Sequence, residues 1–135
     1  MKKYLPLISV LLLILPSCSL TVDQPKAKQL VENLLNDLKN ENFTALDKYF
    51  IPSFNESEPV DKKIAKYNRL KEVMGAIVSY EFINATEKYD DYSNIKFLEL
   101  VYNVKGKQLS VKETFHVMND EGELKIFHQD VENIK

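Results

Sequence analysis

Residues 109–131 read LSVKETFHVMNDEGELKIFHQDV, from Leu109 to Val131. Leu109, Val111, Phe115 and Val117 fall on one side of this stretch, with Glu113 among them, and Ser110, Lys112, Thr114 and His116 fall on the other. A period of two marks a strand that buries one face. Asn119-Asp120-Glu121-Gly122 is a hairpin turn. A second alternation follows, with Leu124, Ile126, His128 and Asp130 against Lys125, Phe127 and Gln129. Laying apolar against apolar sets the expected register. Val117 then faces Leu124, Phe115 faces Ile126 and Glu113 faces His128. If Lys105-Gly106 turns the preceding hairpin, Tyr102 faces Leu109, Leu100 faces Val111 and Leu98 faces Glu113.

Upstream, the texture changes at Gly75. Strands are expected near 77–86, 94–104, 108–118 and 123–131, with the polar loop Glu87–Ser93 between the first two. Before Gly75 the period is that of a helix. Ala27, Leu30, Val31, Leu34, Leu35 and Leu38 recur at three and four residues behind Pro25, which suits a first helical turn. This helix is expected to end near Asn40. Asn42 reads as the N-cap of a second helix carrying Phe43, Leu46, Tyr49 and Phe50 and stopped by Pro52. Residues 53–57 read as a loop. Pro59 starts a third helix through Ile64, Tyr67, Leu70 and Met74. Helices followed by strands give an α+β domain, three N-terminal helices on one face of a four-stranded antiparallel sheet.

The pattern from Leu34-Leu35 through Phe43, Leu46 and Tyr49-Phe50 resembles the opening of nuclear transport factor 2-like (cystatin-like, SnoaL-like) domains. The strand around Phe115, the Asp-Glu-Gly turn and Leu124-Lys-Ile-Phe127 resemble their ending, with Leu124 where Trp is usual. The resemblance implies a curved, cone-shaped sheet that encloses a pocket with the helices. It also implies that family enzymes place His and Asp or Glu in that pocket.

The chain opens with Lys2-Lys3, an apolar run from Leu5 to Leu15, and Leu15-Pro16-Ser17-Cys18. That reads as an export signal, and the run is too short for a bilayer-spanning helix of about 20 residues. Its end resembles the lipobox of bacterial lipoproteins, with Pro16 where Ser or Ala is usual. The resemblance implies acylation of Cys18, the only cysteine. The expected organisation is a signal peptide over 1–17, the lipidated Cys18 and tether over 18–24, and the domain over 25–135. Ser19 after the cysteine resembles the sorting pattern for the outer membrane. Removing Lys2 and Lys3 takes the net charge from −2 to −4, so no basic patch for nucleic acid is expected. With Cys18 acylated, disulfides, thiolate metal sites and cysteine nucleophiles are excluded.

Glu113, His128 and Asp130 are polar residues on an otherwise apolar face, and Tyr80, Asn84 and Tyr102 are expected to share it as pocket candidates. A charge there must be paired or wet. Glu113 opposite His128 is a natural pair. It reads first as a structural ion pair, and alternatively as the acid/base site of a small hydrolase or isomerase that uses His128 with Glu113 or Asp130. His116 points outward, and Asp90-Asp91 lacks the spacing of a calcium loop. No metal or cofactor is expected. The leading expectation is a lipid-anchored envelope protein that binds a small apolar ligand or an envelope protein without catalysis. An accessory or phage lipoprotein that blocks an envelope target is a further alternative.

Overall fold

A computed structural model describes residues 22–134. The expected lipidation site at Cys18 and the expected export signal lie outside the described residues. Helix α1 (Gln24–Lys39) is followed by a 3-10 turn at Leu46–Tyr49, α2 (Pro52–Ser57) and α3 (Val60–Met74). Strands β1 (Ile77–Asp90), β2 (Ile95–Gly106), β3 (Ser110–Asp120) and β4 (Glu123–Asn133) form one antiparallel sheet in the order β1-β2-β3-β4. The α+β architecture is as expected. Among the described residues no helix is long and apolar enough to cross a membrane.

Asp23 caps α1, accepting a hydrogen bond from the Lys26 amide at 3.2 Å, and the helix buries Ala27, Val31, Leu34, Leu35 and Leu38. Their spacing presents one stripe. The second helix departs from expectation. Asn42 caps nothing and bonds Asp37 instead (3.3 Å), while only Leu46–Tyr49 winds, as a 3-10 turn. Phe50 is extended, and the Ile51 amide donates to the Ile126 carbonyl at 3.0 Å, tying the segment to β4. Pro52 does not stop a helix but starts α2 across the segment expected as a loop. Its fixed φ and missing N–H suit that first position.

The hairpin registers differ from expectation in an instructive way. Tyr102 pairs with Glu113 rather than Leu109, and Leu100 pairs with Phe115 rather than Val111. The β2–β3 connection is longer than Lys105-Gly106 because the end of α3 claims it. The Met74 carbonyl accepts from the amides of Gln108 (2.9 Å) and Leu109 (3.2 Å), and the Ala76 carbonyl accepts from Lys107 (3.1 Å). Gly106 is required at this junction, since a Cβ there would lie 2.1 Å from the Met74 carbonyl oxygen. In β3–β4, Glu121 and Gly122 take positive φ at the turn, and Val117 pairs with Ile126 rather than Leu124. Both changes are by an even number of residues, so they leave each side chain on its expected face.

Three bulges do change faces. One falls between Ile77 and Ser79 of β1, a second between Phe82 and Asn84 of the same strand, and the third across from His116–Val117 of β3, where Phe127 is the extra residue of β4. Beyond Phe127, His116 pairs with His128, Phe115 with Gln129 and Glu113 with Val131. An inserted residue reverses the alternation of everything after it. His128 and Asp130 therefore leave the inner face and Gln129 and Val131 enter it. Asn84, paired with Val101, likewise turns away from the inner face that carries Tyr80 and Phe82.

Buried residues of α1, the 3-10 turn, α3 and all four strands form one cluster, including Leu34, Leu35, Tyr67, Leu100, Tyr102, Phe115 and Ile126. Burying this much apolar surface supplies the main driving force for folding.

Candidate functional site

Between the helices and the β3–β4 end of the inner face lies a cavity of about 620 Å³. Leu34 and Leu38 of α1, Leu46 and Phe50 around the 3-10 turn, Phe54 of α2 and Leu70 of α3 supply its apolar walls. Gln129 and Val131, brought inward by the β4 bulge, complete the sheet side. A volume of this size falls within the range of about 300–1,000 Å³ typical of small-molecule sites.

Glu113 lines the cavity and is only 2% exposed. Its Oε2 has no hydrogen-bond partner among the described residues. Burial in apolar surroundings disfavours the charged form and pushes the carboxyl up to about 7. The residue is a carboxylic acid that holds its proton close to neutrality, with one carboxyl oxygen unpartnered among the described residues. Tyr67 of α3 feels it, since burial first, and then the carboxylates of Glu41 and Glu113, push the phenol upward.

The rim is cationic. Lys63 is buried, lies 2.8 Å from Asp47 Oδ1 and 2.9 Å from Asn55 Oδ1, and sits over the Phe50 ring. Lys66 pairs with Glu58 at 2.7 Å. Arg69 borders the cavity one helical turn further on. Among the described residues, no carboxylate lies within 4.0 Å of its guanidinium.

The expected Glu113–His128 pair is not assembled. His128 borders the cavity from the edge strand, but its ring lies 4.8 Å from that of His116 on the outer face. Asp130 is exposed, across from Thr114. Tyr80 donates to Asn36 Oδ1 at 2.9 Å, and Tyr102 is fully buried beside it, so neither lines this cavity; Asn84 faces away. Lys63, Lys66, Tyr67 and Arg69 were not expected at a site. A signal existed: Lys63 and Tyr67 are four apart on α3, on the same stripe as Leu70, so a lysine stood on an apolar face.

The outer face carries its own cluster. His116 Nε2 lies 3.0 Å from Glu99 Oε2, which also accepts from Lys88 at 3.0 Å, and Phe97 and Phe127 pack around the imidazole. Burial pushes His116 down, against the Glu99 hydrogen bond that pushes it up. Partial burial pushes Glu99 up, but the hydrogen bonds from Lys88 and His116 outweigh it and hold the carboxylate below its ordinary value. His116 is thus held by a cross-strand carboxylate rather than lying loose on the surface. A shallower hollow beside it is bordered by Lys88, Tyr89 and Asp90. No group of three potential metal ligands occurs among the described residues. No protein-family model matches this chain, and no curated protein matches it either.

Proposed function

We propose that this chain is a bacterial lipoprotein, held by acylated Cys18 at the cell envelope. In an envelope with two membranes it would sit at the periplasmic face of the outer one. Its nuclear transport factor 2-like domain binds a small apolar ligand without catalysing its conversion. The cavity carries this reading: apolar walls on three helical segments and a sheet, with one buried carboxyl and no base hydrogen-bonded to it among the described residues. Convergent apolar walls with few placed polar groups are the ordinary form of a binding site. The bulges in β1 and β4 support the curved, cone-like sheet implied by the resemblance, because bulges bend and twist the strands that carry them.

The catalytic alternative drew its force from a histidine beside Glu113, and the bulge places that imidazole with His116 instead. The test is titration of the segment after Cys18 with the apolar dye 1-N-phenylnaphthylamine. Saturable fluorescence enhancement is expected at one site per chain. Leu70→Trp, which narrows the cavity mouth, should abolish it while far-ultraviolet circular dichroism stays unchanged. Enhancement that survives Leu70→Trp, or that never saturates, would remove the cavity as the binding site.

A further inference from the structure

We infer that the cavity takes a keto- or ester-bearing long-chain carboxylic acid, with its carboxylate held by Arg69 and its internal carbonyl oxygen accepting a hydrogen bond from Glu113. The inference rests on the binding reading above and adds the chemistry of the ligand.

Three observations carry it. The first is at depth. Glu113 is 2% exposed, its Oε2 has no partner, and the groups near it offer no compensation: Tyr102 is its cross-strand neighbour, but the Tyr102 hydroxyl is itself without a partner. A buried donor left unmade is costly, by about 1–3 kcal/mol. A purely hydrocarbon ligand would perpetuate that cost, and a ligand carrying an acceptor oxygen relieves it. The second observation is at the rim. Lys63 is matched by Asp47, and Lys66 by Glu58, which leaves Arg69 as the cation with no carboxylate within 4.0 Å among the described residues. Guanidinium presents a planar fork that matches a carboxylate in two parallel hydrogen bonds. The third is the wall between them, where Leu34, Leu38, Leu46, Phe50 and Leu70 have only hydrocarbon to offer. Anion, chain and acceptor correspond to rim, wall and depth.

A cationic amphiphile does not fit. It would meet the unmatched Arg69 guanidinium at the rim and would require Glu113 ionised in an apolar setting. The proton on Glu113 is what makes a carbonyl the preferred partner, since an ionised carboxylate only accepts. The groups facing Glu113 that bear on its ionisation are Tyr67 of α3 and Tyr102 of β2. His128 of β4, with Glu58 and the three rim cations, borders the same cavity. Burial pushes the Glu113 carboxyl up to about 7, so the donor is present in mildly acidic solution and lost in alkaline solution.

The experiment is native mass spectrometry of the full chain, released from detergent, with oxostearate, stearate and methyl oxostearate competing at equal concentration. At pH 6, oxostearate is expected to exceed each of the others by about tenfold in occupancy, the ratio that one well-placed hydrogen bond or charge-assisted contact gives. At pH 8.5 its advantage over stearate should vanish while its advantage over the ester remains. Glu113→Met should remove the first preference and Arg69→Gln the second. The pH arm tests the Glu113 contact even if Glu113→Met fails to fold. Equal occupancy by all three ligands at pH 6 would overturn the inference and leave the binding reading standing. So would either preference surviving its variant. Failure of all three to bind would bring down the binding reading itself.

Discussion

Replacing Glu113 by Gln should make the protein more stable at alkaline pH and leave it little changed at acidic pH. In the folded state burial raises the carboxyl from 4.5 to about 7. Between these values the native state holds a proton that the unfolded state has released. Stability therefore falls as pH rises through that window, and the full penalty is present above it. A difference of about 2.5 pH units at roughly 1.4 kcal/mol each amounts to about 3 kcal/mol. Gln keeps the shape and cannot ionise, so it escapes this penalty. Far-ultraviolet circular dichroism is the assay of choice for urea unfolding, because the chain has no tryptophan. The stability of Glu113→Gln minus that of the natural chain should rise by about 3 kcal/mol between pH 4 and pH 8.5. Taking the difference cancels the contributions of all other titrating groups. A difference that stays flat over this range would mean that Glu113 is solvated or paired, and the account of the cavity's depth would be wrong.

Gly106→Ala should destabilise by about 3 kcal/mol or more, at the upper end of overpacking costs, because its Cβ would strike the Met74 carbonyl. Gly122→Ala has open space and only its positive φ against it, and should lose about 1 kcal/mol; equal losses in urea melts would show that the α3–hairpin junction is looser than described. In proton NMR titrations, Glu99→Gln should lower the His116 pKa further, since the Glu99 hydrogen bond opposes the burial that depresses it. Glu113→Gln should leave His116 unmoved, because the two lie three residues apart on β3 and on opposite faces of the sheet, and a shift there would contradict the alternation of β3. Cys18→Ser should abolish palmitate labelling and move the protein out of the membrane fraction, and unchanged fractionation would remove the lipid anchor from the account.

Much of the fold was legible because period alone decides it. Leu34 and Leu35 mark the buried stripe of α1, and Leu100, Tyr102, Phe115 and Val117 mark the inner sheet face, whatever the register. Register was less legible. The β2–β3 turn is shaped by the Met74 and Ala76 carbonyls, which come from a distant part of the chain. An even slip preserves every face, so the hydrophobic pattern offers no warning of it. The bulges were hidden for the opposite reason. Ile83 and Phe127 look like ordinary strand residues, yet each reverses the faces after it, and this separated His128 and Asp130 from Glu113 and turned Asn84 outward. Glu113 itself was legible as a polar residue on an apolar face. Its true surroundings were not, because Lys63, Tyr67 and Arg69 reach the cavity from a helix whose packing the sequence does not state.

Leucine-methyl NMR tests the central claim most directly, because it asks where an apolar ligand goes. The segment after Cys18, labelled at leucine methyls, would be titrated with 1-N-phenylnaphthylamine. Leu34, Leu38, Leu46 and Leu70 line the cavity, whereas Leu98 and Leu100 belong to the core without lining it. Saturable shifts concentrated at the first set, with the second nearly still, are the predicted result. Shifts that are absent, or that move both sets alike, would contradict a binding cavity between the helices and the sheet.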